Sequence, residues 1–453
     1  MKAMDLTKGS VLKTLIVYSL PLIATNVAQL LFHATDVWVL GMMVDDGAVA
    51  AVGACGALIS LFVSVFAGLA TGVNILIARR VGAKDIDGAR RATGTGLVIG
   101  LLSGGILMIA ALIGAREFLI LMNCQPEVLE EATLYMRIYF MGMPVIMLYN
   151  FVSAILRSVG DSMRPMVYMF IAGGLNVGLN ILFIGAFKMS VDGVALATVI
   201  SNLVSLILAM IALFKNSDYC KVEIKNLRIR GVELWETVRV GVPACLGAIC
   251  FYAANTVVGS AVNALSTDAM TANAISGQFD GIIYSVGMSV ATACMAMVGQ
   301  SLGARDIPRI KKTVLITLCY STAVSLALGA IFVLLSEPML GIMTDSESVI
   351  ALAKSKMTLL CLTYFITTIM EVFSFSLRAL HKAGITTVVC FICGFGVRAG
   401  WIWLVVPLSP SLAMIFASYP ASAFAAILFY IGIFIYTIKG LSKRVSVSEG
   451  EKI

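Results

Sequence analysis

Twelve apolar stretches constrain this chain more than any other feature. They fall at about 14–43, 48–78, 92–115, 132–156, 165–186, 194–214, 236–263, 269–301, 313–336, 353–377, 385–406 and 411–438. Each is close to or above the ~20 residues a helix needs to cross a bilayer. Composition agrees: 60% of the 453 residues are hydrophobic and 13% are charged, against about 25% charged in a soluble chain. The mean hydropathy is +0.98. The expected fold class is all-α integral membrane, with twelve transmembrane helices. The polar segment Met1–Lys13 and the length of the first apolar run do not read as a cleavable signal peptide.

The basic residues sort by loop. One set of alternate loops carries 26 of the 32 Lys and Arg, the other set only Arg116 and Lys188, and Arg137, Lys354, Lys356 and Arg398 fall inside spans. By the positive-inside rule this places both termini in the cytoplasm. The net charge of +7 therefore reads as topology and not as nucleic-acid binding. The ten cysteines lie mostly in apolar runs and read as small packing residues. Cys390-x-x-Cys393 lacks a second pair or a nearby histidine.

The chain also repeats itself. Ala70-Thr71 with Gly82-Ala83-Lys84-Asp85-Ile86 recurs as Ala291-Thr292 with Gly303-Ala304-Arg305-Asp306-Ile307, 221 residues on. The same offset pairs Leu156-Arg157 with Leu377-Arg378, and Pro21 matches Pro243 to within one residue. Two homologous six-helix lobes are expected, at 1–214 and 236–438, with a cytoplasmic linker at 215–235 and a tail at 439–453. An even helix count per lobe puts the pseudo-twofold axis along the membrane normal.

The first apolar stretch carries Asn26, Gln29, His33 and Asp36 at spacings of three, four and three, so they share one helical stripe. Such a stripe suits a helix facing a protein interior or a water-filled cavity. An ionisable group at membrane depth is costly, which makes Asp36 the leading functional candidate. The bland alternative is a wet or capping aspartate near the helix end. His33, one turn from Asp36, reads as a proton partner or a bystander. Pro21 predicts a kink in the same helix.

The repeat, the G-A-[KR]-D loop in each half and the Leu156-Arg157…Gly160-Asp161-Ser162-Met163-Arg164-Pro165 stretch resemble the multidrug and toxic compound extrusion (MATE) transporters, closest to their prokaryotic DinF-like branch. The resemblance covers nearly the whole chain. It implies a V-shaped pair of bundles working by alternating access, exporting organic and often cationic compounds against inward H⁺ or Na⁺ flow. It implies a coupling site of Asp36, Gln29, Asn176, Asn180 and Thr198, with Asn150 and Tyr135 beside it. Where several relatives carry a second aspartate, this chain has Asn180. The seventh span carries Phe251 and Tyr252 where some Na⁺-coupled members carry a glutamate. A site of this kind either binds a hard cation through oxygens, with Na⁺ possible at Asp36, or holds one proton. The amides at Asn176 and Asn180 also fit the blander role of interhelical hydrogen-bond glue.

In the second half, offset matching places Glu371 at the position of Asn150 and Arg398 at that of Asn176. Both charges lie inside spans, so Glu371 and Arg398 are expected to interact, with Asp280 as a competitor for Arg398. A structural charge network is the alternative for all three. Tyr252, Asn255, Asn273 and Gln278 are weaker candidates for the same cavity. The leading function is therefore a secondary antiporter without cofactors other than the coupling ion. Its partners are small organic molecules and membrane lipid, with no nucleic acid, and a monomer in a bacterial or archaeal plasma membrane is expected. A lipid-linked saccharide flippase is the alternative from the same superfamily. Two histidines, His33 and His381, are too few for a surface catalytic cluster, and nothing reads as a P-loop.

Overall fold

The computed structural model describes residues 3–44, 46–122, 124–215 and 219–450. Among them the regular structure is all helical. The long elements are α1 (Val11–Met43), α2 (Asp46–Gly82), α3 (Ile86–Leu121), α4 (Leu129–Met141), α5 (Met143–Ser158), α6 (Met163–Asn180) and α7 (Val191–Lys215). They continue with α8 (Gly231–Asn263), α9 (Thr267–Gly303), α10 (Ile307–Leu334), the short α11 (Ser336–Gly341) and α12 (Glu347–Ala379). The last part is α13 (Ala383–Val389), α14 (Arg398–Leu404), α15 (Leu412–Phe416) and α16 (Ser418–Gly450). Among the described residues, eleven helical segments are long and apolar enough to cross a membrane, and α4 with α5, bent by 49°, makes a twelfth if the pair is one span. Gly142 at that break lets the chain pass Val199, and Pro144 starts α5. The matching stretch of α12 reads Thr363-Tyr364-Phe365, without glycine or proline, and runs straight through. One proline thus makes the two repeats differ.

The chain forms two compact units. The first is Met1–Asp5 with Ala24–Cys245, the second Leu6–Ile23 with Leu246–Ile453. Their borders depart from the expected lobes. They fall just after Pro21 in α1 and Pro243 in α8, where the missing N–H frees a carbonyl and lets the two ends of one helix follow different neighbours. Residues 219–235, expected as a linker, pack in the first unit instead. Arg90 meets Glu223 at 3.1 Å and Arg91 meets Glu233 at 3.0 Å. Gly94 on α3 lies against the Asn226 carbonyl, where any Cβ would stand 2.0 Å from the oxygen.

The repeated G-A-[KR]-D motif is a turn. Lys84 and Arg305 take matching left-handed conformations, φ 59° and 58°, and end α2 and α9. The aspartate that follows caps the next helix: Asp85 accepts from the Gly88 N–H and Asp306 from the Arg309 N–H. Both devices satisfy backbone groups that a helix end leaves orphaned. In the first unit the core joins Leu40, Cys55, Leu119, Met136 and Val194 with a second layer around Val73, Phe151 and Leu213. In the second unit it centres on Val262, Ile283, Met357, Cys361 and Ile415. Large apolar side chains such as Ile113 and Leu334 face outward, as lipid-facing positions do.

Candidate functional site

The first unit contains a half-open cavity of about 370 Å³. Gln29 and Asp36 of α1, Tyr135 and Tyr139 of α4, Asn150 of α5, Asn176 of α6 and Thr198 and Asn202 of α7 line it. Asp36 is 7% exposed. The Asn180 amide donates to its Oδ1 at 2.6 Å and leans toward Asn176 Oδ1 at 3.4 Å. Asn176 donates in turn to Thr198 Oγ1 at 3.3 Å, and Thr198 donates to the Val194 carbonyl. The four residues form one chain of polar groups from α1 through α6 to α7. Thr198 and Asn202, one turn apart, both face the cavity, and Asn202 donates to the Thr198 carbonyl at 2.8 Å.

Two features bear on what this cluster can do. Among the described residues no Lys or Arg pairs with Asp36, and a buried carboxylate without a counter-charge is costly. The Asn180 Oδ1 is fully buried and has no hydrogen-bond partner. An unpaired acid, two amide oxygens and a hydroxyl are the donor types a hard cation takes. The same acid can instead carry one proton. The residues present therefore fit either coupling ion.

The expected set of Gln29, Asp36, Asn176, Asn180 and Thr198 comes together, with Tyr135 and Asn150 on the same wall. Asn180 does not line the cavity and meets the site through its bond to Asp36. The Asn150 amide is turned to the Ile146 carbonyl of its own helix, 3.0 Å away. His33 lies on α1, and its side chain is outside the described residues. Tyr139 and Asn202 were not anticipated. Asn202 was findable, standing one helical turn after Thr198.

The second unit holds the other candidates and corrects two expectations. Glu371 and Arg398 form no ion pair. Arg398 donates from Nε to Ser422 Oγ and from Nη1 to Asn255 Oδ1, both at 3.1 Å, and its guanidinium lies 4.0 Å from the Tyr419 ring centroid. Tyr419 also donates to Asn255 Oδ1, closing the cluster. Neutral oxygens and an aromatic face satisfy the guanidinium, so Glu371, half-buried, feels the charges of Arg378 and Arg398 without touching either. Nor does Asp280 compete for Arg398: it is bonded at 2.8 Å to Lys356. Lys356 was visible as a cation inside a span, but the sequence offers several acids and no way to choose. Tyr252 stands beside Phe251, which stacks on Tyr284 at 5.9 Å.

The repeat explains part of this. Tyr419 and Ser422 stand 221 residues after Thr198 and Ser201, and Arg398 stands 222 after Asn176. The extra residue has a visible origin. A π-helical turn, Cys390–Val397, precedes Arg398, and another, Ile181–Ala186, follows Asn180. A π turn absorbs one added residue, so the register shifts between the two turns and recovers after them. Asn176 with Thr198 in one unit thus corresponds to Arg398 with Tyr419 in the other.

A half-open cavity with a buried acid, inside a bundle of membrane-spanning helices built twice, defines a polytopic membrane protein of the transporter type. The chain belongs to the MatE family, whose sequence profile matches residues 21–182 and 243–404, one match for each half. It is 26% identical over 399 residues to a probable multidrug resistance protein, YoeA of Bacillus subtilis, covering 86% of each chain. It is 27% identical over 249 residues to the multidrug export protein MepA of Staphylococcus aureus, covering 53% of this chain and 54% of that one. Its fold matches an outward-facing multidrug resistance MATE family transporter of the MOP superfamily with a TM-score of 0.91, at 22% identity, over 98% of this chain and 99% of the other.

Proposed function

We propose that this protein is a secondary active exporter of amphipathic, often cationic organic compounds, driven by exchange for H⁺ or Na⁺. The observation that carries the reading is Asp36: a buried, unpaired carboxylate on a cavity wall, bonded to an amide whose own oxygen is free. Binding of one cation or proton there neutralises the acid, and release restores an energetically costly charge. That difference between the two states is what an ion gradient can act on. The aromatic walls of Tyr135 and Tyr139 suit flat organic cations. The family membership and the multidrug relatives support the same reading. Both termini are cytoplasmic in this scheme, and the working unit is a monomer in a bacterial or archaeal plasma membrane.

The test is transport of a fluorescent organic cation in inside-out membrane vesicles, with NaCl exchanged for KCl at fixed pH. Dependence on sodium assigns Na⁺, dependence on the pH gradient alone assigns H⁺, and uptake without either gradient would end the antiport reading.

A further inference from the structure

The Lys356 ammonium of α12 sits in a complete shell. Its Nζ lies 2.8 Å from Asp280 Oδ2, 2.9 Å from Asn273 Oδ1 and 3.0 Å from Ser276 Oγ, with the Phe416 ring centroid at 4.5 Å. An ammonium has three protons, and here three side-chain acceptors meet them, with the Asn273 carbonyl a longer contact at 3.4 Å. Ser276 donates its own proton to the Ala272 carbonyl at 2.6 Å, which leaves its lone pairs for the lysine. The three acceptors follow on α9 at spacings of three and four, so one helical face presents them all. Lys356 is 2% exposed and Asp280 5%. The second carboxylate oxygen of Asp280, Oδ1, is buried without a partner.

An ion pair that served packing alone would need only the acid and the base. Apolar replacement of such a pair is often neutral or stabilising. What surrounds Lys356 is instead a carboxylate, an amide oxygen, a hydroxyl and an aromatic face converging on one cation. This is the ligand set that recognises a primary ammonium. Lys356 and Asp280 also stand 221 residues after Tyr135 and Ile59, both of which line the cavity of the first unit.

We propose that the second unit contains a cation site of its own, selective for a primary alkylammonium, which the protein fills with the tethered ammonium of Lys356. Truncation of the lysine opens that site to a free alkylammonium. This assignment stands independently of what Asp36 couples to. It leaves Asp280 permanently compensated.

The experiment is chemical rescue. Lys356→Ala is purified in detergent and its melting temperature followed against n-propylammonium chloride, which restores the three carbons and the charge removed. NaCl at matched ionic strength and n-propanol serve as controls. The expected result is a saturable upward shift, on the order of 3 °C, with the amine only, absent from the wild type and from Lys356→Ala combined with Asp280→Asn. A shift with sodium or propanol alone, an equal shift in the double variant, or no shift would overturn the proposal. So would a Lys356→Ala chain that cannot be isolated even with the amine present while the neutral double variant can. Stability is the readout, so failure here is distinct from failure of the antiport reading, which transport measures.

Discussion

The Asn180 side-chain amide donates a 2.6 Å hydrogen bond to the Asp36 carboxylate across 144 residues of sequence. Both groups are buried, and no cation among the described residues answers the acid. Asp36→Asn removes the one charge among the described residues lining the pocket while keeping its shape. We expect coupled efflux to fall by a factor on the order of 10² or more, with melting temperature held or raised, since a buried charge has gone. Vesicle transport and thermal melting on the same preparation check both halves. Wild-type efflux in the variant would remove Asp36 from the coupling step.

Asn180→Asp places a second acid within hydrogen-bond distance of the first. Two carboxylates that close share a proton, and their titrations become those of a pair. The pH profile of transport should therefore shift. An unchanged profile would mean that the two side chains do not meet in the working protein.

Arg398 is held by Ser422, Asn255 and the Tyr419 ring, a planar arrangement that a lysine cannot reproduce. Arg398→Lys and Arg398→Ala should both destabilise the protein, on the order of 2–3 kcal/mol for alanine. Tyr419→Phe, which removes one bond to Asn255 and keeps the ring, should cost about 1 kcal/mol. Equal melting temperatures for Arg398→Lys and wild type would contradict the planar fit.

Gly329 on α10 touches the backbone of α12. A Cβ there would stand 2.2 Å from the Cys361 carbonyl oxygen, whereas nothing lies within 4 Å of one at Gly281. Gly329→Ala should push the helices apart and cost on the order of 2–4 kcal/mol. Gly281→Ala should be neutral or stabilise by up to about 1 kcal/mol through helix propensity. Thermal unfolding of the two variants separates close approach from propensity.

Glu223 lies outside the apolar spans, 3.0 Å from Lys225 and 3.1 Å from Arg90. The Lys225 hydrogen bond, with the charges of Lys225, Arg90 and Lys221, holds its carboxyl below the usual glutamate value of 4.5. A depressed acid stabilises the fold above its unfolded value and loses that contribution as pH falls through the lower folded one. Amide-exchange protection in residues 219–230, taken relative to the intrinsic exchange rate at each pH, should therefore be steady above about pH 4.5 and fall below it. Glu223→Gln should flatten that response, and high salt should weaken the protection at neutral pH.

Much of the architecture was legible in the chain. Span length gave the helices, because a backbone in lipid has few ways to satisfy its own polar groups. The recurrence of G-A-[KR]-D gave the two halves, and the structure adds that the motif is a left-handed turn followed by an N-cap. The Gln29–Asp36 stripe was legible because i, i+3 and i+4 neighbours share a helix face by geometry alone. Lys356 with Asp280, and Glu371 apart from Arg398, were not. A charge inside a span needs a partner, but nothing local to Lys356, Glu371 or Arg398 says which helix supplies it.

By itself, then, the sequence determined the helices, the repeat and the acid at Asp36, since these follow from hydropathy, periodicity and the cost of a charge in lipid. Only the tertiary structure decided where α1 and α8 change units, which amide answers Asp36 and which cation fills the shell around Asp280. The first depends on a proline freeing a helix end, and the other two on how helices distant in sequence pack, where a shift of one residue in register exchanges one partner for another without changing the pattern along the chain.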